Sequence, residues 1–245
     1  MTFISILGFF ACAKKQLSSP PLPQEIFELN YKNTVLQPVE IQNQHSEIGL
    51  SIPGMNISGN VDVWIVKDKG MYSLTTITGI GEQKSGYIIE KDLVWSLDPM
   101  TGAKILSGKE KANQINTYHE SFLEIKDMYL EPKYIGTEVV QDTKMHKIEA
   151  KDKMGAPVTL WFDPKTFYLR RKDSTIIANG GELISSTYFS DYQTLDGNIA
   201  PTTLTINVMN IEQVLSLKTV ETNVDKVPEL PIPSAIQELL DEANK

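Results

Sequence analysis

A chain of 245 residues is long enough to bury a full core, and its net charge of −8 argues against a polyanionic partner. Nucleic acid and an anionic bilayer both attract basic surfaces, so neither is expected as an electrostatic partner. The one cysteine excludes an intramolecular disulfide and a cysteine-rich metal cluster.

The N-terminus has the layout of a secreted lipoprotein. The apolar run 3–11 is too short to span a bilayer but has the length of a signal-peptide core, and Ala11-Cys12 resembles a lipobox. We therefore expect a signal peptide over 1–11, cleaved before Cys12, which then carries lipid. The alternative is an odd cysteine in an ordinary secretory signal. Residues 12–36 form the lipid anchor and a Pro/Ser-rich tether, with a short helix predicted over 24–33.

Strand patterns dominate the middle of the chain. In Asn60–Val66 the residues alternate so that both faces are partly apolar, which indicates that the second face is covered or curls over a cavity. The other predicted strands are 71–78, 85–90, 93–97, 138–150, 158–162, 168–177, 183–192, 202–209 and 213–224. The order predicts a long antiparallel meander.

Two helices interrupt or follow this meander. Ser107-Gly-Lys-Glu110 matches a capping box and predicts one amphipathic helix over 107–129. Its apolar stripe is Ile115, Tyr118, Phe122, Ile125 and Tyr129. That stripe is expected to dock into the concave side of the sheet. A second helix is predicted over 234–243, after the proline-rich stretch 228–233.

Acidic turns join several of the strands. Asp-Gly supplies the positive φ angles of a two-residue hairpin, and Asp-Pro favours a turn after an aromatic strand. In chain order the three segments are Trp95-x-x-Asp98-Pro99-x-Thr101-Gly102, Trp161-Phe-Asp163-Pro164-x-Thr166 and Tyr188-Phe-Ser-Asp-Tyr192-x-x-x-Asp196-Gly197-x-x-x-Pro201. They predict three hairpins.

In this order and spacing the three segments resemble the LolA/LolB-like outer-membrane lipoprotein-sorting proteins of Gram-negative bacteria, over roughly Val39 to Val224. The resemblance implies a mainly β fold, with a strongly curved antiparallel sheet or incomplete β-barrel and a helix on its concave side. It places this domain over 37–226, followed by a C-terminal tail with a short helix over 227–245. It also implies a monomeric envelope lipoprotein, anchored in the outer membrane on its periplasmic side. Its function would be to bind lipid or an acylated lipoprotein in an apolar cavity, for lipoprotein sorting or lipid carriage. The alternative is a non-catalytic envelope sensor or scaffold that binds a protein partner with the same fold.

The sequence contains no motif for catalysis, for a cofactor or for a metal. A Gly-x-Ser-x-Gly elbow, a His-Glu-x-x-His helix, a P-loop and a dinucleotide fingerprint are all missing. The three histidines His45, His119 and His146 show no paired ligand spacing, and are predicted to be surface or structural residues. Asp163, Asp191 and Asp196 stand in or beside turns, where aspartate is favoured for local hydrogen bonds. We therefore predict a protein that is not an enzyme.

Large apolar side chains are the candidates for lining a ligand cavity. Aromatic rings bury large areas, so each tryptophan is equally explained as part of an ordinary core. The cavity candidates are Trp64, Trp95, Trp161, Tyr118, Phe122 and Ile125.

Overall fold

The computed structural model describes residues 20–178 and 181–243, with side chains described outside 176–182. The predicted signal peptide 1–11, Cys12 and the tether up to residue 19 lie outside the described residues. The strands are β1 Asn43–Ile52, β2 Ile57–Val66, β3 Gly70–Ile77, β4 Gly81–Ile88, β5 Leu93–Asp98, β6 Gly102–Ile105, β7 Leu130–Val140, β8 Thr143–Lys151, β9 Pro157–Phe162, β10 Leu169–Ala178, β11 Gly181–Leu195, β12 Asn198–Val208 and β13 Ile211–Thr222. The helices are α1 Pro23–Thr34, α2 Gly108–Glu120, α3 Ile125–Met128 and α4 Ser234–Ala243.

The strands of the described chain form one open antiparallel sheet of 13 strands. Neighbours in the chain are neighbours in the sheet except for β6 and β7, which lie at its two edges. The first strand β1 pairs with the last strand β13. The strand order is β6-β5-β4-β3-β2-β1-β13-β12-β11-β10-β9-β8-β7. The prediction of a mainly β, open curved sheet is confirmed.

Helix α2 shows how strongly the sheet curves. It contacts β5 near one end of the strand order and β10 near the other. In a flat sheet these two strands would lie about 40 Å apart, far more than the width of one helix. The sheet therefore wraps around α2, as an incomplete barrel does.

The sheet has an inner face, which we define as the side that packs against α1, α2 and α3, and an outer face opposite. In β5 the adjacent residues Val94 and Trp95 point to opposite sides. Val94 packs with Tyr118 of α2, and Trp95 packs with Ile236 of α4. Helix α4 therefore covers the outer face of β5 and β6, on the opposite side of the sheet from α2.

Three predicted hairpins are confirmed, and in two of them the side chain of the aspartate holds the turn. Asp98 Oδ1 accepts hydrogen bonds from the amides of Met100 and Thr101, at 2.8 and 2.9 Å. Asp163 Oδ1 accepts from Lys165 and Thr166 at the same two distances. The Asp196-Gly197 turn joins β11 to β12 with Leu195 opposite Asn198.

The predicted single strand 138–150 is wrong, because it contains a hairpin. Val140 pairs with Thr143, and the two residues between them, Gln141 and Asp142, have φ angles of +47° and +62°. This is the geometry of a type I′ turn, for which Asn-Gly or Asp-Gly is the usual sequence. Strands β1 and β6 were also not predicted.

The predicted single helix 107–129 is wrong as well, because it breaks after Glu120. The hydroxyls of Thr117 and Ser121 donate to carbonyls one turn earlier, which competes with helix continuation. The next amides bond to carbonyls three residues back, as in a tightening final turn. The predicted capping box is also absent, since Ser107 precedes the helix without a side-chain cap and Glu110 instead pairs with Lys104.

Candidate functional site

The two ends of the inner face are filled by helices. At one end Phe27 of α1 packs against Phe162 and Tyr129, with ring centroids 5.8 and 6.3 Å apart. This cluster consists of residues from α1, α3 and the strands β7 to β10 with their connections. At the other end α2 packs on the strands β2 to β5. Neither cluster includes a residue of β1 or of β11 to β13, within the described part of the chain.

Tyr118 anchors α2 at its end of the sheet. Its side chain is buried, and its hydroxyl accepts a hydrogen bond from the amide of Asp68 at 2.9 Å and donates one to the carbonyl of Val66 at 3.2 Å. Its ring meets Tyr87 edge-on at 5.5 Å. Burial is the main cause of the raised pKa of Tyr118, so the phenol stays protonated and keeps its donor. The helix is thus fixed in place rather than loosely laid over the sheet.

Between the two clusters lies a row of apolar side chains that no helix cluster includes. Phe189 pairs with Leu204, Leu204 with Leu215, and Leu215 with Leu50 of β1, so the row crosses four strands on one face. Ser46 lies on the same side of β1 as Leu50 and pairs with Val63, which packs in the α2 cluster. The row therefore belongs to the inner face. Leu50 is buried, but the other three are only half-buried.

A cleft of about 480 Å³ opens beside these helices. It is lined by the end of α1, the segment after it and the turn between α2 and α3. Apolar walls come from Phe122 and Ile125, and the polar lining includes Lys67, Glu40 and Asn198. This volume lies within the range of about 300–1,000 Å³ that is common for small-molecule sites.

Charge at the mouth of the cleft is internally compensated. Lys67 forms an ion pair with Glu40, and the hydrogen bond and charge of Lys67 lower the pKa of Glu40. The same hydrogen bond raises the pKa of Lys67. Asn198 accepts hydrogen bonds from the amides of Leu36 and Gln37, and so ties the segment after α1 to the β11–β12 hairpin. The arrangement suits an apolar guest better than an anion.

The helical cavity candidates divide between core and cleft. Tyr118 belongs to the core, whereas Phe122 and Ile125 line the cleft. Because the chain bends after α2, Phe122 packs with the α2 cluster and Ile125 with the α1 cluster. That these residues contact a ligand remains a prediction.

The three tryptophans do not lie with the helical cavity candidates. Trp64, Tyr72, Gly86 and Trp95 are successive cross-strand partners, so Trp64 shares the outer face with Trp95. Trp161 packs with Met145 and Tyr188, while its neighbour Phe162 packs against α1. A sequence reports alternation along a strand, but not which of the two sides will receive the helices.

Sequence reasoning missed the apolar row as a site. Leu204, Ile206 and Val208 alternate with Thr203, Thr205 and Asn207, which is a regular period-two pattern. This alternation therefore indicated a strand with one apolar and one polar face. It did not reveal that the apolar side would lie between the two helix clusters.

Sequence comparison matches the chain to no protein-family model and to no curated protein. Comparison of structures does find similar proteins. A LolA superfamily protein from Nitrosomonas europaea has a TM-score of 0.55 and 13% identity, over 85% of this chain and 96% of that one. A DUF1329 family protein from Desulfovibrio piger has a TM-score of 0.53 and 17% identity, over 83% and 94%. A putative outer membrane lipoprotein-sorting protein domain from Vibrio parahaemolyticus has a TM-score of 0.50 and 12% identity, over 83% and 94%.

These likenesses establish the fold. The chain has the LolA/LolB-like fold that the hairpin segments predicted. In the described part of the chain, every helix is too short or too polar to cross a membrane.

Proposed function

We propose that the protein binds an acyl chain, from a lipid or from an acylated lipoprotein, against the inner face of its sheet. The observation that carries the proposal is the half-buried row Phe189–Leu204–Leu215, which lies between two regions already covered by helices. An apolar surface left between packed helices gains free energy by taking up an apolar guest.

The free energy of burying an acyl chain is large enough for binding that remains reversible. Each buried methylene contributes about 0.8 kcal/mol, so about ten buried methylenes contribute about 8 kcal/mol before the cost of association is subtracted. A guest bound this way is released to another apolar enclosure without any covalent step. The proposal thus assigns transfer to the protein and no catalysis.

The proposed place of action is the cell envelope. A lipid on Cys12, followed by the tether, would hold the domain 37–226 near a membrane, with the outer membrane and lipoprotein sorting as its setting. Two of the proteins with similar structures are named for the LolA superfamily and for outer membrane lipoprotein sorting, which supports this setting. Radiolabelled palmitate should enter the wild type but not Cys12→Ala. Equal labelling of both would end the lipid-anchor part of the proposal.

A fluorescent fatty acid tests the binding site directly. Leu204 and Thr205 are neighbours in β12 with side chains on opposite faces, so Leu204→Gln and Thr205→Gln form a matched pair. We expect saturable binding by the wild type and by Thr205→Gln, with affinity at least about tenfold weaker in Leu204→Gln because a polar amide replaces apolar contact.

Circular dichroism of both variants separates lost binding from lost folding. If the folded wild type shows no saturable binding, the lipid-carrier proposal is rejected, and the sensor or scaffold function becomes the better explanation. If the two variants weaken binding equally, the guest does not lie on the inner face.

A further inference from the structure

A group of side chains that could ligate a metal ion lies on the outer face, on the opposite side of the sheet from the proposed acyl-chain site. His45 and Glu47 project from β1, and Asp62 projects from the adjacent strand β2. One ligand atom from each of the three lies within 4.8 Å of the other two. The sequence predicted no metal site because these ligands come from two strands and only one of them is histidine.

Two of the carboxylates face each other, and the nearby ammonium of Lys218 is hydrogen-bonded to the Asn60 side chain at 2.6 Å instead of to either carboxylate. Glu47 stands directly opposite Asp62 in the β1–β2 ladder. Like charges in directly opposed positions destabilise a sheet. Among the described residues Glu47 forms no ion pair, and Asp62 is paired only with His45. A cation between the two carboxylates would turn this repulsion into coordination.

The imidazole of His45 is held in the orientation that a metal ligand needs. Its Nε2 lies 2.9 Å from Asp62 Oδ2, on the side of the cluster, while Nδ1 lies 3.6 Å from Glu221 Oε2 on the other side. Its ring stacks on Trp64, with centroids 4.2 Å apart and planes inclined by 15°. Metal-bound histidines usually donate their second ring N–H to a carboxylate, which fixes the tautomer and the ring orientation.

We propose that this outer-face cluster binds one divalent transition-metal ion of the Zn²⁺ type. His45 Nε2, a Glu47 oxygen and an Asp62 oxygen are the ligands, and Glu221 positions the imidazole through Nδ1. One imidazole with two carboxylates is a donor set that suits Zn²⁺ better than the all-oxygen sets that suit Mg²⁺ or Ca²⁺. Water completes the coordination, since Asp62 is 40% exposed and the site is open to solvent.

Protons compete with the ion for the same place. Partial burial alone would lower the pKa of His45, but its hydrogen bond to Asp62 and the nearby carboxylates of Asp62 and Glu221 outweigh this and raise it. Binding is therefore expected to strengthen as the pH rises, and it is measured at pH 8.

The position of the cluster gives the ion a structural role that is separate from the proposed lipid carriage. Its ligands join β1 to β2, and Glu221 belongs to β13, the strand on the other side of β1. The ion would thus fasten together the three strands at which the N-terminal and C-terminal parts of the sheet meet.

Calorimetric titration of the chelator-stripped full chain with ZnCl₂ tests the site. We expect one ion per chain, with affinity at least about tenfold weaker in His45→Gln, in Glu47→Gln and in Asp62→Asn. Glu221→Gln should weaken binding about tenfold, as is typical when a carboxylate that orients a ligating histidine is removed. Glu149→Gln, an exposed carboxyl change on β8, should leave the affinity unchanged.

A proton–nitrogen NMR correlation spectrum of the imidazole rings adds a readout that does not depend on affinity. Zn²⁺ should shift the signal of His45 Nε2 more than that of Nδ1. The proposal is overturned if the folded wild type shows no stoichiometric binding, if His45→Gln binds as the wild type does, or if the shift falls on Nδ1.

Discussion

Asp163 shows how one carboxylate in a turn organises distant parts of the chain. Its Oδ1 fixes the amides of Lys165 and Thr166, and the same turn presents the carbonyls of Thr166 and Phe167 to helix α1. Asn33 and Asn30 donate to those carbonyls, each at 2.9 Å. This turn, which the sequence predicts from local residues alone, therefore also holds helix α1 on the inner face.

We expect Asp163→Ala to cost about 1–2 kcal/mol at pH 7, because two backbone amides lose their charged acceptor. Partial burial tends to raise the pKa of Asp163, but the amides of Thr166 and Lys165 outweigh it, and the folded-state pKa is lowered. The charge thus stabilises the fold above the unfolded-state pKa of about 3.9, and this stabilisation is lost as the pH falls through the folded-state pKa.

Asp163→Asn keeps an acceptor oxygen but never ionises, so it isolates the effect of the charge. Chemical denaturation should show it less stable than the wild type at pH 7, with a difference that shrinks toward pH 3. A difference that stays constant over this range would show that the carboxylate charge does not stabilise the turn. Asp225→Asn, in the exposed segment after β13, is the control and should show little change.

At the level of elements, the hydroxyl of Tyr118 adds to the apolar packing that holds helix α2 on the sheet. Tyr118→Phe keeps the ring contacts and removes the hydroxyl. The amide of Asp68 then loses its partner, and the carbonyl of Val66 keeps only the amide of Lys69 as a donor. We expect a loss of about 1–2 kcal/mol in the free energy of unfolding.

Tyr31→Phe is the matched control, because the Tyr31 hydroxyl makes no hydrogen bond within the described part of the chain. It should remain within about 0.5 kcal/mol of the wild type. Equal stability of the two variants in urea denaturation would show that α2 is held by ring packing alone.

The elements also show what the sequence could and could not predict. Asp-Pro and Asp-Gly turns carry their geometry in one or two residues, so three hairpins and the C-terminal helix 234–243 were predictable. The Gln141-Asp142 hairpin was not, because neither residue is a glycine and tertiary pairing imposes the positive φ angles. The break after Glu120 was hidden because Ile125 and Tyr129 continue the helical spacing, although they pack on α1 rather than along α2.

For the candidate site, the sequence could not predict which face of the sheet would pack against the helices. Period-two alternation identified the apolar sides of individual strands, but the side that would meet the helices depends on the whole curved sheet. Phe122 and Ile125 were found from helical spacing, and they line the cleft. Leu204 and Leu215 became visible only when register placed them in one row.

At the level of the whole molecule, α4 protects the outer face near the free edge at β6. Ile236 and Trp95 are both fully buried where the helix meets the sheet. Ile236→Ala should cost about 2–4 kcal/mol, because it removes buried methyl groups and leaves a cavity above Trp95.

Glu238→Ala, on the exposed side of α4, should stay within about 0.5 kcal/mol of the wild type. Guanidinium denaturation of both variants compares the two values. If Ile236→Ala is as stable as Glu238→Ala, α4 is an appendage rather than a part of the core.

The pairing of β1 with β13 also constrains the order of folding. During synthesis β1 emerges early, yet one of its two partners is the last strand of the sheet, so the pairing of Leu50 with Leu215 waits until β13 has been made. Until then β1 and the growing C-terminal part each present an unpaired strand edge, which invites association between chains. Contacts so distant in sequence also slow folding. The β1–β13 pairing that completes the sheet therefore leaves the unfinished chain prone to association with other chains. A chaperone that covers the unpaired edges would matter most before β13 is released.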